Sequence, residues 1–160
     1  MTTDKISYGN STAITITLNS LAHSLTVGRQ SDVIDNSTDL FDDALVTVTV
    51  TTSASALGSN KVVSIYVSGS EDGTNFECDD NTLGASDAGY TINSITNLKL
   101  GAVIYCNTVS KVYRKTFSIA GLYGGIMPRK WLLVATNETN QALAASGNSA
   151  SYTGIHYTST

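Results

Sequence analysis

Ala44-Leu45-Val46-Thr47-Val48-Thr49-Val50-Thr51-Thr52 is the stretch that decides the fold. Val46, Val48 and Val50 alternate with Thr47, Thr49 and Thr51. A period of two sends the valines to one face and the threonines to the other, as in a strand buried on one side and wet on the other. The unbroken run of β-branched residues disfavours a helix and suits a pleated surface. Thr12 to Leu18 repeats the pattern, with Ile14, Ile16 and Leu18 opposite the threonines. Lys61 to Ser68 is different. It carries Val63, Ile65 and Val67 on one face and Val62 and Tyr66 on the other, so it is expected in the middle of a sheet, covered on both sides.

Further strands are expected over 90–93, 97–106, 111–120, 129–136 and 151–158, with a weaker one over 21–27. Lys111 to Ala120 places Tyr113, Lys115, Phe117 and Ile119 on one face. Ser70-Glu71-Asp72-Gly73-Thr74-Asn75-Phe76 is the sharpest turn signal, because Gly73 can take the positive φ that a tight turn needs. It predicts a hairpin returning through Phe76 to Cys78. Gly124-Gly125 predicts a bend or a close backbone approach. Residues 28–43 and 79–89 read as long polar connections suited to crossing between two sheets. No amphipathic helix stands out. Eight to ten short strands with regular turn signals predict an all-β chain, an antiparallel β-sandwich of jelly-roll type. Residues 1–11 are polar and patternless, and are expected to form a mobile arm before a single domain over 12–160.

Composition narrows the function. The 160 residues include 20 Ser and 22 Thr, yet only 14% are charged. Apolar residues make up 41%, enough for one core. The net charge of −4 supplies no surplus of cations to displace phosphate counterions, which argues against a nucleic-acid partner. The densest basic run, Lys111, Arg114 and Lys115 beside Tyr113, reads as ordinary solvated strand charge. No apolar run reaches the roughly 18 to 20 residues that span a bilayer. Met1 to Ser7 is polar and lacks the pattern of a secretory signal, so the chain is expected to be made in a reducing cytosol. The glycosylation triplets at Asn10, Asn36 and Asn137 are then chance matches in an Asn-, Ser- and Thr-rich chain.

Candidate chemistry is sparse. His23 and His156 each lack a neighbouring His, Cys or acid at ligand spacing, and no Gly-x-Ser-x-Gly elbow is present. Cys78 and Cys106 fit no zinc spacing, and buried thiols are expected in preference to a disulfide. Acids cluster at Asp32, Asp35, Asp39, Asp42 and Asp43, and again at Glu71, Asp72, Glu77, Asp79 and Asp80. Such loops can hold calcium, but neither follows the calcium-loop pattern, and turn-forming, solvated charge is the expected role. Trp131, Tyr66 and Phe117 are expected in the core. The expectation is a protein without enzymatic activity or a cofactor, and with no residue assigned to catalysis or to a metal.

Two resemblances add to this. Val63-Ser64-Ile65-Tyr66-Val67-Ser68 with Ser70-Glu71-Asp72-Gly73 and Phe76, followed later by Arg129-Lys130-Trp131, resembles the hairpin and closing strands of discoidin-like jelly rolls. Those domains often bind carbohydrates or cell surfaces. A wider set is similar to small β-rich structural proteins of tailed-bacteriophage virions. It runs from Arg29-Gln30-Ser31 through Val33 to Leu40, Asp43 to Val46, the Glu71-Asp72-Gly73 hairpin and Thr96 to Leu100. It continues through Phe117 to Ala120, Gly124 to Pro128, Trp131, Ala142 to Ala150, and Tyr152-Thr153-Gly154. This resemblance implies a virion component, a capsid decoration or cement protein. Its expected partners are the major capsid protein or other virion proteins and further copies of itself. The alternative is a glycan- or host-surface-binding module of a tail, collar or head fibre.

Overall fold

The computed structural model describes residues 4–78, 83–84, 86–92 and 97–159. In chain order its strands are β1 (Asp4–Ile14), β2 (Val27–Gln30), β3 (Ile34–Asp35), β4 (Asp43–Thr51), β5 (Val62–Ser70), β6 (Ala88–Thr91), β7 (Lys99–Tyr105), β8 (Val112–Ser118), β9 (Lys130–Asn137) and β10 (Ser149–Ser159). One helical turn, α1 (Ile119–Leu122), follows β8. Ser118 caps it by accepting from the Gly121 amide at 2.9 Å.

All pairings are antiparallel and fall into two sheets, β1-β10-β4-β8 and β6-β2-β9-β5-β7, with β3 also on β9. The connectivity becomes simple when β2 and β3 count as one interrupted strand and short β6 is set aside. First then pairs with eighth, second with seventh, third with sixth and fourth with fifth. A long hairpin rolled once gives this order, and it is the jelly roll.

The alternation in β4 is realised in full. Val46, Val48 and Val50 are buried and meet Val63, Ile65, Val67, Leu133 and Trp131 of the other sheet in the main core. On the outer side, Thr47 shares a hydroxyl hydrogen bond with Thr116 at 2.9 Å, and Arg114 Nε donates to Thr49 at 3.3 Å. The second sheet is covered on both faces. Tyr66, Leu132 and Val134 point away from the main core into a smaller cluster with Phe76, Leu83, Tyr90 and Leu98. β5 lies between β9 and β7, as its two-faced apolar pattern requires.

Several expectations change. The expected arm over 1–11 is strand from Asp4 onward, laddered to β10. Its alternation is confined to Ile6 and Tyr8, both open to solvent, and the backbone ladder to β10 holds it. Of the strand expected over 12–18, only Thr12 to Ile14 belongs to β1. Residues 28–43 are not a plain connection. They contain most of β2 and all of β3, too short to show a period. The expected return strand at Phe76 does not form, because both edges of β5 are taken by β9 and β7. Glu77 only donates to Gly69 O at 3.0 Å, beyond the last β5–β7 pair. Segment 71–98 joins two strands of one sheet, so the 79–89 stretch is no crossover between sheets; its residues 79–82 and 85 lie outside those described. Gly124 and Gly125 take φ +70° and +95° with open space around them, so they make a bend and not a close approach.

The two faces of β4 make a stability test. Val48→Thr is nearly isosteric but puts a hydroxyl into the core, and is expected to cost about 1–3 kcal/mol in urea unfolding. Thr47→Val, on the outer face, is expected to change stability by less than about 1 kcal/mol.

Candidate interaction surface

The acidic loops are occupied by the fold itself. Asp43 accepts from the Ala44 and Ala120 amides at 2.7 and 2.9 Å and from the Ser118 hydroxyl at 2.7 Å. The Ser37 hydroxyl, foremost, and the Ser37 amide at 2.9 Å, with Lys130 at 3.3 Å, hold the Asp35 carboxyl down to about 2. Asp42 accepts from the Tyr157 amide at 2.7 Å, and Asp32 from the Asp87 amide at 2.7 Å. Asp72 closes the Gly73 turn by accepting from the Thr74 and Asn75 amides, which push its carboxyl well below the usual range. Gly73 sits at φ +77°, the left-handed value the turn needs. Among the described residues no three His, Cys, Asp or Glu side chains gather in a way that could hold a metal. Asp79 and Asp80 lie outside the described residues.

Asp87, which stood in neither cluster, ties the sheets together beside β6. Its carboxylate accepts from Arg29 Nε at 2.5 Å, from the Thr17 amide at 3.0 Å and from the Thr17 hydroxyl. Arg29 belongs to one sheet, whereas Thr17 follows β1 of the other. The Arg29 bond, foremost, holds the Asp87 carboxyl down to about 2.

The other candidates disperse. His23 Nδ1 lies 3.2 Å from both Asn137 O and the Asn140 amide, at the end of β9. His156 sits at the opposite end of the sandwich, its ring tilted against Phe41 at 5.0 Å and 3.8 Å from Asp42. Cys106 is a free thiol in the main core, where burial pushes it up to about 11. Cys78 is free in the smaller cluster, on the other side of the sheet. Arg114 joins the outer row of β8, whereas Lys115, opposite Val48, belongs to the inner row at the sandwich rim. Trp131 and Tyr66 are buried and Phe117 half-buried.

Two outward apolar side chains stand together at one end of the sandwich. Leu40 and Ile126 are 69% and 72% exposed. They flank one shallow groove of about 290 Å³, together with Asn36, Phe41, Asp42, Gly125 and Met127. Leu40 takes φ +51°. A left-handed conformation costs an L-residue with a bulky side chain roughly 1–2 kcal/mol. Asn36 imposes it. The Leu40 amide donates to Asn36 O at 3.0 Å and the Phe41 amide to Asn36 Oδ1 at 2.9 Å. Asn36 Nδ2 in turn donates to Phe41 O at 3.0 Å. Phe41 turns inward over Gly154, where any Cβ would run into its ring. With Phe41 anchored, Leu40 points out. The sequence signal was an isolated Leu-Phe pair within a polar connection, four residues after an Asn.

Comparison with protein-family models, curated proteins and solved structures finds no match.

Two outcomes follow. Leu40→Gly relieves the backbone and removes no buried contact, so Tm is expected to stay level or rise by about 2 °C in thermal unfolding. The Asp87 carboxyl is held below its ordinary value of 3.8. The stability it contributes is therefore full above pH ~4 and lost as pH falls towards ~2. Asp87→Asn is expected to cost about 2 kcal/mol at pH 7, with the gap to the parent closing by pH ~2, read by urea titrations across that range.

Proposed function

We propose that this chain is a non-enzymatic virion structural protein, a capsid decoration protein that binds and stabilises a phage head. The observation that carries this reading is the strained, outward Leu40 beside Ile126. Leu40 stands on a loop bracketed by Asn36 and anchored by Phe41, so little ordering entropy is lost when it enters a pocket on a partner. Rigid apolar anchors of this kind carry most of the free energy at protein–protein contacts. The rest of the surface supports the same use. The outer face of β4, β8 and β10 is rich in hydroxyls, and its carboxylate Asp43 is tied up internally. Such a surface is soluble before assembly and little affected by salt afterwards.

A glycan-binding module would gather aromatic platforms around a loop cleft. Here the exposed tyrosines line no loop cleft: Tyr8 and Tyr157 stand on the paired strands β1 and β10, and Tyr105 on β7 at the other edge, which favours the decoration reading.

The test is quantitative mass spectrometry of purified particles. A copy number comparable to that of the major capsid protein is expected, and absence from particles overturns the reading. A copy number far below it moves the protein to the tail or collar and also overturns decoration. Leu40→Gly is expected to weaken binding to undecorated heads at least about tenfold, roughly 1.4 kcal/mol, while the protein stays folded.

A further inference from the structure

The ladder between β1 and β10 outruns the sheet that carries it. β4 ends at Asp43, opposite Ile155. Beyond that point residues 4–7 and 156–159 continue as a two-stranded ribbon. Directly opposed residues of an antiparallel pair share a face. Ile6 opposes Tyr157 and Tyr8 opposes Ile155, so these four share one face, while Lys5, Ser7, His156 and Thr158 share the other. Ile6, Tyr8 and Tyr157 are 55%, 62% and 57% exposed. A two-stranded ribbon is marginal in water on its own, and this one carries an uncovered apolar face.

A second apolar patch lies across the molecule. Val103, Tyr105, Val109 and Val112 are exposed along the edge where β7 turns into β8. β1 and β8 are the two edge strands of one sheet, so ribbon and patch stand on opposite sides of the sandwich. Charge divides the same way. From Ser31 to Asp43 the chain has five Asp and no Lys or Arg; Asp32, Asp35 and Asp43 are spent on partners within the fold, and exposed Asp39 with half-exposed Asp42, which holds the Tyr157 amide, gives the ribbon its acidic border. From Lys99 to Ala120 it has Lys99, Lys111, Arg114 and Lys115 and no acid. Lys111, Arg114 and Lys115 are exposed, and among the described residues no acid forms an ion pair with them.

We propose that the ribbon of one copy, with its acidic border, docks on the apolar and basic β7–β8 edge of the next copy in a head-to-tail assembly. Apolar then meets apolar and acid meets base, which sets the partner and the direction together. The two surfaces are different and distant, so the contact is heterologous and generates a ring if the rotation closes or a filament if it does not. Nothing in it uses Leu40 or Ile126, so self-association and capsid binding succeed or fail separately.

The experiment is sedimentation velocity on the full chain without capsid, with Tyr157→Glu as the ribbon variant and Tyr105→Glu as the edge variant. Circular dichroism checks that both stay folded, as their exposure predicts. The parent is expected to sediment as an oligomer that loosens with added salt. Each variant alone is expected to lose at least about tenfold in association constant. Mixed together they are expected to recover a 1:1 heterodimer, because the ribbon of the edge variant and the edge of the ribbon variant remain intact. A monomeric parent overturns the proposal. So does an edge variant that still associates alone, which would mean that ribbons pair with ribbons. Two variants that associate as the parent does also overturn it.

Discussion

Phe41 lying on the bare backbone of Gly154 is the contact on which the outer features of this molecule depend. It stands in a chain of rings that starts in the core. Trp131, fully buried on β9, meets Tyr152 of β10 edge-on at 5.6 Å and thereby joins the two sheets. Tyr152 meets Phe41 at 6.4 Å, and Phe41 meets His156 at 5.0 Å. The rings carry the rigidity of the core out to the end of the sandwich. Two exposed elements diverge there. Leu40 precedes Phe41 and is thrown outward because Phe41 goes inward. The ribbon begins just past Gly154 and is braced at its base by Phe41 and Asp42. A side chain at position 154 would displace Phe41 and disturb both elements at once.

Legibility in the sequence followed burial. β4, β5 and β9 could be read because the core imposes a period on them, or fills both faces with apolar residues. Tyr66 showed in advance that β5 is covered on its outer side. Most of β1 gave no such signal, since from Lys5 to Ala13 the strand is exposed on both faces and only Ile14 reaches the core. β2 and β3 hid for another reason. They are short and polar, and Gln30 and Ser31 are buried through hydrogen bonds that composition does not reveal. The exposed surface was less legible still. The conformation of Leu40 comes from the bracket that Asn36 makes, and that bracket exists only once Phe41 has a glycine to lie on more than a hundred residues later.

The carboxylates illustrate how one residue type serves two ends. Asp43, Asp72 and Asp87 satisfy backbone amides or bind a guanidinium, so they act as parts of the fold. Asp39 is exposed, and Asp42 spends one oxygen on the Tyr157 amide while about half its side chain faces water. The sequence shows all of them as acidic loop residues. What separates them is whether a donor lies within reach, and that is settled by pairing register.

Edge strands bring these points together, because an open ladder invites another chain to join it. β8 carries Lys115 on its inner row, where a charge resists extension of the sheet by a further strand. β1 carries an irregularity between Tyr8 and Ser11, which interrupts its open ladder. β7 carries a similar irregularity at Gly101, opposite Ile65 and Tyr66, yet its outer row of Leu100, Val103 and Tyr105 stays exposed. Exposed apolar strand edges carry a standing risk of aggregation. The risk is removed if a defined partner covers the edge, and the ribbon that Phe41 holds in place offers exposed apolar side chains with acidic neighbours.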